Sequence, residues 1–314
     1  MRKTILAFGL ALLAALAIVS EEPVSAAPQY PPTILYSTLL NEVKIHHNTG
    51  NFRIGTMTGL FFPPPVRKSK MIYTYNPKDG GKLDAALRKG DGTLIGTFNF
   101  YSQPQKAPYW IVNSNELDGK PSHDFKLTQP GDYTLEFMIE GKPFLKFPFS
   151  VATVQSDDPY NPQTLYFLEG DWNNWGYLYY PNARPSSNLH FKAWLHHKGR
   201  LKNHDVKNAM AELVDSSGKV LGASQVGLNL SLRPEWIRYD FLLRTDKGAL
   251  VAQDLIGKDG SYAIRLKMDG KEYGRYPFMV RGGKIVTAGR ADRAGTDPLN
   301  FIEGGPDAFW VKKL

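Results

Sequence analysis

Two stretches of the chain share one pattern: GDYTLEFMIEGKPFLKFPFSV at residues 131–151 and GSYAIRLKMDGKEYGRYPFMV at residues 260–280. In both, apolar residues alternate with polar ones, which is typical of a strand with one buried face. An acidic residue followed by glycine, at Glu140-Gly141 and at Asp269-Gly270, suits the positive φ angles of a tight hairpin turn. Each stretch is therefore predicted to be a β-hairpin, and their agreement indicates an internal repeat.

The agreement extends upstream of the hairpins in the same order. Ala85, Leu87, Gly92, Gly96, Pro108, Trp110 and Ile111 correspond to Ala211, Leu213, Gly218, Gly222, Pro234, Trp236 and Ile237. Each unit has about seven short strands with turn signals between them and no helical periodicity. The sequence therefore predicts an all-β chain of two tandem antiparallel β-sandwich domains related by internal duplication. The repeated tryptophans are expected to pack in the cores.

The end of each unit has a recognisable order: G-x-Y, alternating residues, an acidic-glycine turn, and then P-F-x-V. This order resembles the last hairpin of immunoglobulin-like and fibronectin-III-like domains in exported bacterial proteins. The resemblance implies an Ig-like sandwich and names no particular family. The Cys-Trp-Cys core of antibody domains is missing, since the chain contains no cysteine.

The N-terminus has the features of a secretory signal. Arg2 and Lys3 precede an apolar run from residue 5 to residue 19, and Val24-Ser25-Ala26 gives a small-x-small cleavage pattern. The run is shorter than the roughly 20 apolar residues that a spanning helix needs. We therefore expect an exported protein, periplasmic or extracellular, that is not an integral membrane protein.

The predicted organisation has six parts. They are a signal peptide at residues 1–26, a linker at 27–35, domain 1 at 36–152, a polar, proline-bearing connector at 153–163, domain 2 at 164–281, and a Gly-rich linker with a strand-like tail at 282–314. The connector is expected to be extended and stiff, placing the domains end to end.

The tail repeats part of the junction between the domains. FIEG at residues 301–304 matches FLEG at residues 167–170. We hypothesise that the tail is the opening strand of a missing third unit, retained because it covers a sheet edge or a surface patch on domain 2. The alternatives are a disordered tail and a strand offered to a partner.

The chain contains no G-x-S-x-G elbow, H-E-x-x-H, phosphate-binding loop or calcium loop, and the absence of cysteine excludes thiol and zinc-cysteine chemistry. We predict no enzyme activity, no catalytic residue and no cofactor. An unrecognised hydrolase stays open, because the paired carboxylates of a glycosidase can lie at any separation in sequence.

Histidines give the nearest approach to a metal signal. His190, His196, His197 and His204 fall within fifteen residues, and imidazole suits zinc, copper or nickel. They do not recur in the first unit, and no carboxylate completes a ligand set. We predict no metal site.

Aromatic residues crowd the segment at residues 166–180, where indole rings beside amides could stack on sugar rings. The candidate ligand-binding residues are Trp172, Asn173, Asn174, Trp175, Tyr177 and Tyr179. The alternative is that Trp172 or Trp175 fills the seam between the domains, because a loop after a connector tends to touch the neighbouring domain.

The formal net charge is +8, and removal of the signal peptide leaves it unchanged, because residues 1–26 carry two basic and two acidic residues. Such an excess suits an anionic polysaccharide or another envelope protein as partner, or serves solubility alone. Nucleic acid is disfavoured, since export removes the protein from it. The sequence thus predicts a non-catalytic exported binding or structural module of the cell envelope, with a carbohydrate-binding protein as the alternative and an unrecognised hydrolase as the second alternative.

Overall fold

The computed structural model of the chain describes residues 33–34, 36–60, 83–104, 110–118, 120–121, 125–139, 141–156, 159–160, 162–180, 184–195, 205–225, 228–232, 236–286 and 308–314. The predicted signal peptide, His196, His197, His204 and the FIEG segment at residues 301–304 lie outside the described residues.

The fold is mostly antiparallel β-structure, so the all-β prediction is confirmed. The first strands are β1 (Thr33–Ile34), β2 (Val43–Ile45), β3 (Phe52–Ile54), β4 (Met57–Leu60), β5 (Leu83–Lys89), β6 (Leu94–Pro104), β7 (Trp110–Leu117), β8 (Lys120–Pro121), β9 (Gly131–Ile139), β10 (Lys142–Gln155) and β11 (Thr164–Glu169). The later strands are β12 (Trp175–Tyr179), β13 (His190–Leu195), β14 (Asp205–Asp215), β15 (Val220–Ser224), β16 (Leu228–Leu232), β17 (Ile237–Thr245), β18 (Gly248–Ala249), β19 (Gly260–Met268), β20 (Lys271–Arg281), β21 (Lys284–Val286) and β22 (Ala308–Lys312). Helices α1 (Tyr36–Glu42) and α2 (Ala252–Ile256) and a 3-10 turn (Asp171–Asn174) complete the described elements.

The described strands form two large sheets and one small one. The first sheet has the order β1-β4-β7-β6-β5-β9-β10-β11, with β8 beside β7. The second has the order β21-β20-β19-β14-β15-β17-β13-β12-β22, with β16 beside β14 and β18 beside β17. Strands β2 and β3 pair with each other. In β9 and β20, alternate residues are buried, which is why the period-2 patterns identified these strands.

Both predicted hairpins are confirmed. Strands β9 and β10 pair so that Val151 lies opposite Gly131, and β19 and β20 pair so that Val280 lies opposite Gly260. Asp269 and the glycine after it both have positive φ, as the turn prediction requires.

The two sheets share a run of five strands in corresponding order, β10-β9-β5-β6-β7 and β20-β19-β14-β15-β17. Leu87 lies opposite Leu135 in the first sheet, and Leu213 lies opposite Ile264 in the second. These are the residues that correspond in sequence. A register irregularity follows Leu87 in the pairing of β5 with β6, and another follows Leu213 in the pairing of β14 with β15.

A buried tyrosine at the start of each hairpin makes the same hydrogen bond. The hydroxyl of Tyr133 donates to the carbonyl oxygen of Gln129 at 2.6 Å, and the hydroxyl of Tyr262 donates to that of Lys258 at 2.8 Å. We call this contact, in which a tyrosine hydroxyl donates to the backbone four residues upstream, the tyrosine corner; immunoglobulin-like sandwiches contain a similar contact.

The segment predicted as an extended connector instead forms the end of a hairpin. Strand β10 continues to Gln155, the backbone N–H of Ser156 donates to the carbonyl of Gln163 at 2.8 Å, and β11 returns along β10. Strand β11 has its own apolar alternation, with Leu165 and Phe167 buried, and Leu165 lies opposite Val154 of β10. Strand β11, predicted to open domain 2, is thus the edge strand of the first sheet.

The described end of the tail packs on the second sheet. Strand β22 pairs with β12, and the backbone N–H of Leu314 donates to the carbonyl of Arg275 on β20 at 2.8 Å. The tail therefore covers the β12 edge, as the docking hypothesis expected.

Candidate functional site

Aromatic side chains from both sheets meet in one buried cluster, which we call the aromatic seam. It consists of Phe147, Trp172, Trp175, Tyr177, Trp194, Trp310 and the half-buried Trp236. Four of these side chains come from three neighbouring strands that form one wall of the seam. They are Trp175 and Tyr177 on β12, Trp194 on β13 and Trp310 on β22.

The same three strands also face a second core. Leu178 of β12, Phe191 of β13 and Val311 of β22 pack there with the apolar residues of the second sheet, and all three are fully buried. A strand buried on both faces needs apolar residues at nearly every position. This explains why aromatic and aliphatic residues follow one another from Trp175 to Tyr180.

One part of the seam joins β10 to the second sheet. The rings of Phe147 and Trp172 stack with centroids 5.4 Å apart and planes 10° apart. Trp236 meets Trp172 edge-on at 5.9 Å, and its indole N–H donates to the carbonyl of Leu168 on β11 at 2.8 Å. Trp236, expected to be a core residue of its own domain, thus contacts the first sheet.

A second part of the seam reaches helix α1. Trp194 stacks on Trp310 with centroids 5.9 Å apart and planes 6° apart. Its indole N–H donates to the side-chain oxygen of Asn41 on α1 at 2.8 Å. Stacked aromatic pairs and satisfied indole N–H groups are both favourable in a buried site.

The residues predicted to bind ligand lie in and around this seam. The exposed fractions are 3% for Trp172, 3% for Trp175 and 0% for Tyr177, whereas Asn173 is exposed and Asn174 and Tyr179 are half-buried. Sugar stacking needs an accessible ring face. The burial therefore favours the seam interpretation of both tryptophans over the sugar platform.

The two asparagines hold the 3-10 turn and the tail in place. The side-chain amide of Asn174 donates to Asp171 at 3.1 Å, and the ammonium of Lys313 donates to the side-chain oxygen of Asn173 at 3.4 Å. The backbone N–H of Lys313 donates to the carbonyl of Asn174 at 2.6 Å. Their observed contacts are therefore internal to the fold.

Asp171 is a hydrogen-bond acceptor for the seam. It accepts the indole N–H of Trp175 at 2.8 Å. Burial raises the pKa of its carboxyl, but hydrogen bonds from Trp175 and Asn174 and the charge of Lys312 outweigh burial and leave the pKa below its usual value. A glycosidase general acid needs a raised pKa, so this carboxyl does not fit that role.

A polar group lies on the same strand face, and we call Tyr179, His190, Lys192 and Asp240 the polar rim; the first three are half-buried and Asp240 is exposed. Lys192 Nζ lies 4.4 Å from the ring centroid of Tyr179 and 3.3 Å from Asp240 Oδ2, and His190 Nδ1 lies 2.7 Å from Asp240 Oδ1. Burial raises the pKa of Asp240, yet the hydrogen bond from His190 and the charge of Lys192 leave that pKa below its usual value.

Sequence reasoning missed Lys192 and Asp240 as members of this group. The available signal was that alternate residues of β13, His190 and Lys192, lie on one face. The register of β13 with β17 brings in Asp240, opposite Lys192. In the part of the chain that is described, no group of three or more histidine or acidic side chains could hold a metal ion.

None of the described helices has the length and apolar character needed to cross a membrane. Comparisons of the chain with protein-family models, with curated proteins and with solved structures find no match.

Proposed function

We propose that this chain is an exported, non-catalytic binding or structural module of the cell envelope, in which a buried aromatic seam joins two immunoglobulin-like β-sandwiches into one body. The signal-like N-terminus supports export. The single observation that carries the proposal is the burial of Trp172, Trp175 and Tyr177. These three aromatic residues therefore hold the two sandwiches together. Ligands would bind to the outer surfaces of the sheets.

Four correspondences support the proposal that the two sandwiches arose by duplication. The two sandwiches share the strand order, the opposed leucine and isoleucine pairs, the register irregularity after Leu87 and Leu213, and the tyrosine corners. Each is a local detail that a random pair of β-sheets has no reason to repeat.

The experiment is a titration of the mature protein with a panel of neutral soluble polysaccharides, followed by tryptophan fluorescence. We expect no saturable shift in emission, because the indoles of the seam are shielded. The double variant Trp172→Ala with Trp175→Ala is expected to melt at a lower temperature than the wild type, because it leaves cavities in the seam.

Tyr160, which is 96% exposed, supplies the matched control. Tyr160→Ala should leave the melting temperature unchanged. A saturable shift in the wild type that disappears in the double variant would establish a sugar-binding domain and overturn the proposal.

A further inference from the structure

The hairpin of β20 and β21 ends in a small surface that combines exposed aliphatic and basic side chains. We call Met279, Arg281, Lys284 and Val286 the basic tip. Met279 lies opposite Val286, and Arg281 lies opposite Lys284. The exposed fractions of Met279 and Val286 are 39% and 46%, and both basic residues are exposed.

The two charges of the basic tip repel each other. Like charges directly opposite one another on neighbouring strands are destabilising. Among the described residues, no ion pair to Arg281 or Lys284 is present. Asp259 lies beside the turn and accepts the backbone N–H of Gly282 at 3.0 Å.

Several basic residues on β19 and β20 differ, because acidic side chains accept hydrogen bonds from them. Glu212 accepts from Arg265 at 2.6 Å and from Lys267 at 2.9 Å, and Glu272 accepts from Arg275 at 3.0 Å. Among the described residues, no acidic side chain pairs in this way with either cation of the basic tip.

The first unit has no such surface at the corresponding place. The sequence correspondence puts Ser150 at the position of Met279 and Ala152 at that of Arg281, and the opposing strand carries Glu169 and Phe167. The fold therefore does not require basic or aliphatic residues there, which indicates that the basic tip has a separate role.

We propose that the basic tip binds an anionic lipid surface, which would make the protein peripheral to a membrane of the envelope. The cations relieve their repulsion by approaching lipid phosphates, and each basic residue near such a surface contributes about 1 kcal/mol of binding. The exposed aliphatic groups favour lipid over an acidic polysaccharide. At the boundary between headgroups and acyl chains their apolar surface is removed from water, whereas beside a hydrated sugar chain it stays in water. This inference rests on the proposed function, since it names the partner of an exported module.

The test is co-sedimentation of the mature protein with vesicles of phosphatidylglycerol and phosphatidylcholine, and with vesicles of phosphatidylcholine alone. We expect binding to the anionic vesicles only, and weaker binding as salt is raised. Arg281→Gln with Lys284→Gln should weaken binding about 30-fold, the effect of two charges at about 1 kcal/mol each. Met279→Ser with Val286→Ser should weaken binding without changing its salt dependence.

Lys126→Gln with Lys142→Gln is the matched control, since it removes two exposed charges from the first unit. It should bind as the wild type does. Equal loss in this control, no binding to anionic vesicles, or binding to a soluble polyuronate in place of vesicles would each overturn the inference. Because the neutral-polysaccharide titration concerns the seam, failure of the lipid inference leaves that test of the proposed function standing.

Discussion

Replacing Trp194 by alanine is expected to lower the free energy of unfolding by about 3–5 kcal/mol, the usual loss when a buried tryptophan is truncated. Trp194 is 1% exposed, stacks on Trp310 and donates its indole N–H to Asn41. The variant therefore loses apolar burial, a stacking contact and a hydrogen bond together. Urea unfolding of the wild type and the variant, followed by circular dichroism, measures the difference.

Two further variants separate the causes. Trp194→Phe keeps a ring in the seam but leaves the Asn41 oxygen without its donor, so we expect a smaller loss of about 1–3 kcal/mol. Tyr160→Ala changes an exposed ring and should cost nothing measurable. A loss below about 1 kcal/mol for Trp194→Ala would mean that the seam is not closed around this residue.

Removing the seven residues from Ala308 to Leu314 is expected to destabilise the protein by on the order of 5 kcal/mol, because Trp310 and Val311 leave buried sites. The truncation also exposes the edge of β12, whose neighbours β13 and β22 pair with it on either side. An unprotected strand edge promotes association between chains. Urea unfolding and size-exclusion chromatography of the truncated protein measure both effects.

Leu314→Ala is the control for the truncation, since that side chain is 84% exposed and should contribute little. If the truncated chain unfolds at the wild-type urea concentration and elutes as a monomer, β22 does not cover β12 in solution, and the docking of the tail is refuted.

The hairpins could be predicted because their determinants are local. Alternation in β9 and β19 and the acidic-glycine turns specify strand, turn and buried face within about twenty residues. Placing the two units over each other matched Leu87 to Leu213, but it did not predict that Leu87 lies opposite Leu135, because packing between strands sets that register.

The seam was only half predictable, because it depends on contacts between distant residues. The continuous apolar run from Trp175 to Tyr180 is typical of a strand buried on both faces, and it could have indicated the seam. The indole N–H of Trp236 donates to the backbone carbonyl of Leu168. Every residue type has such a carbonyl, so the sequence does not indicate this acceptor. Likewise, Asp240 meets Lys192 only through the register of β13 with β17, which tertiary packing sets.

We propose that the aromatic seam makes the two large sheets one cooperative body, and scanning calorimetry of the protein without residues 1–26 tests this most directly. A cooperative body unfolds in one transition, with a calorimetric enthalpy equal to the van't Hoff enthalpy. We predict a ratio of about 1 between these enthalpies. Two separable transitions, or a ratio of about 2, would show that the two sheets unfold independently and would contradict this proposal.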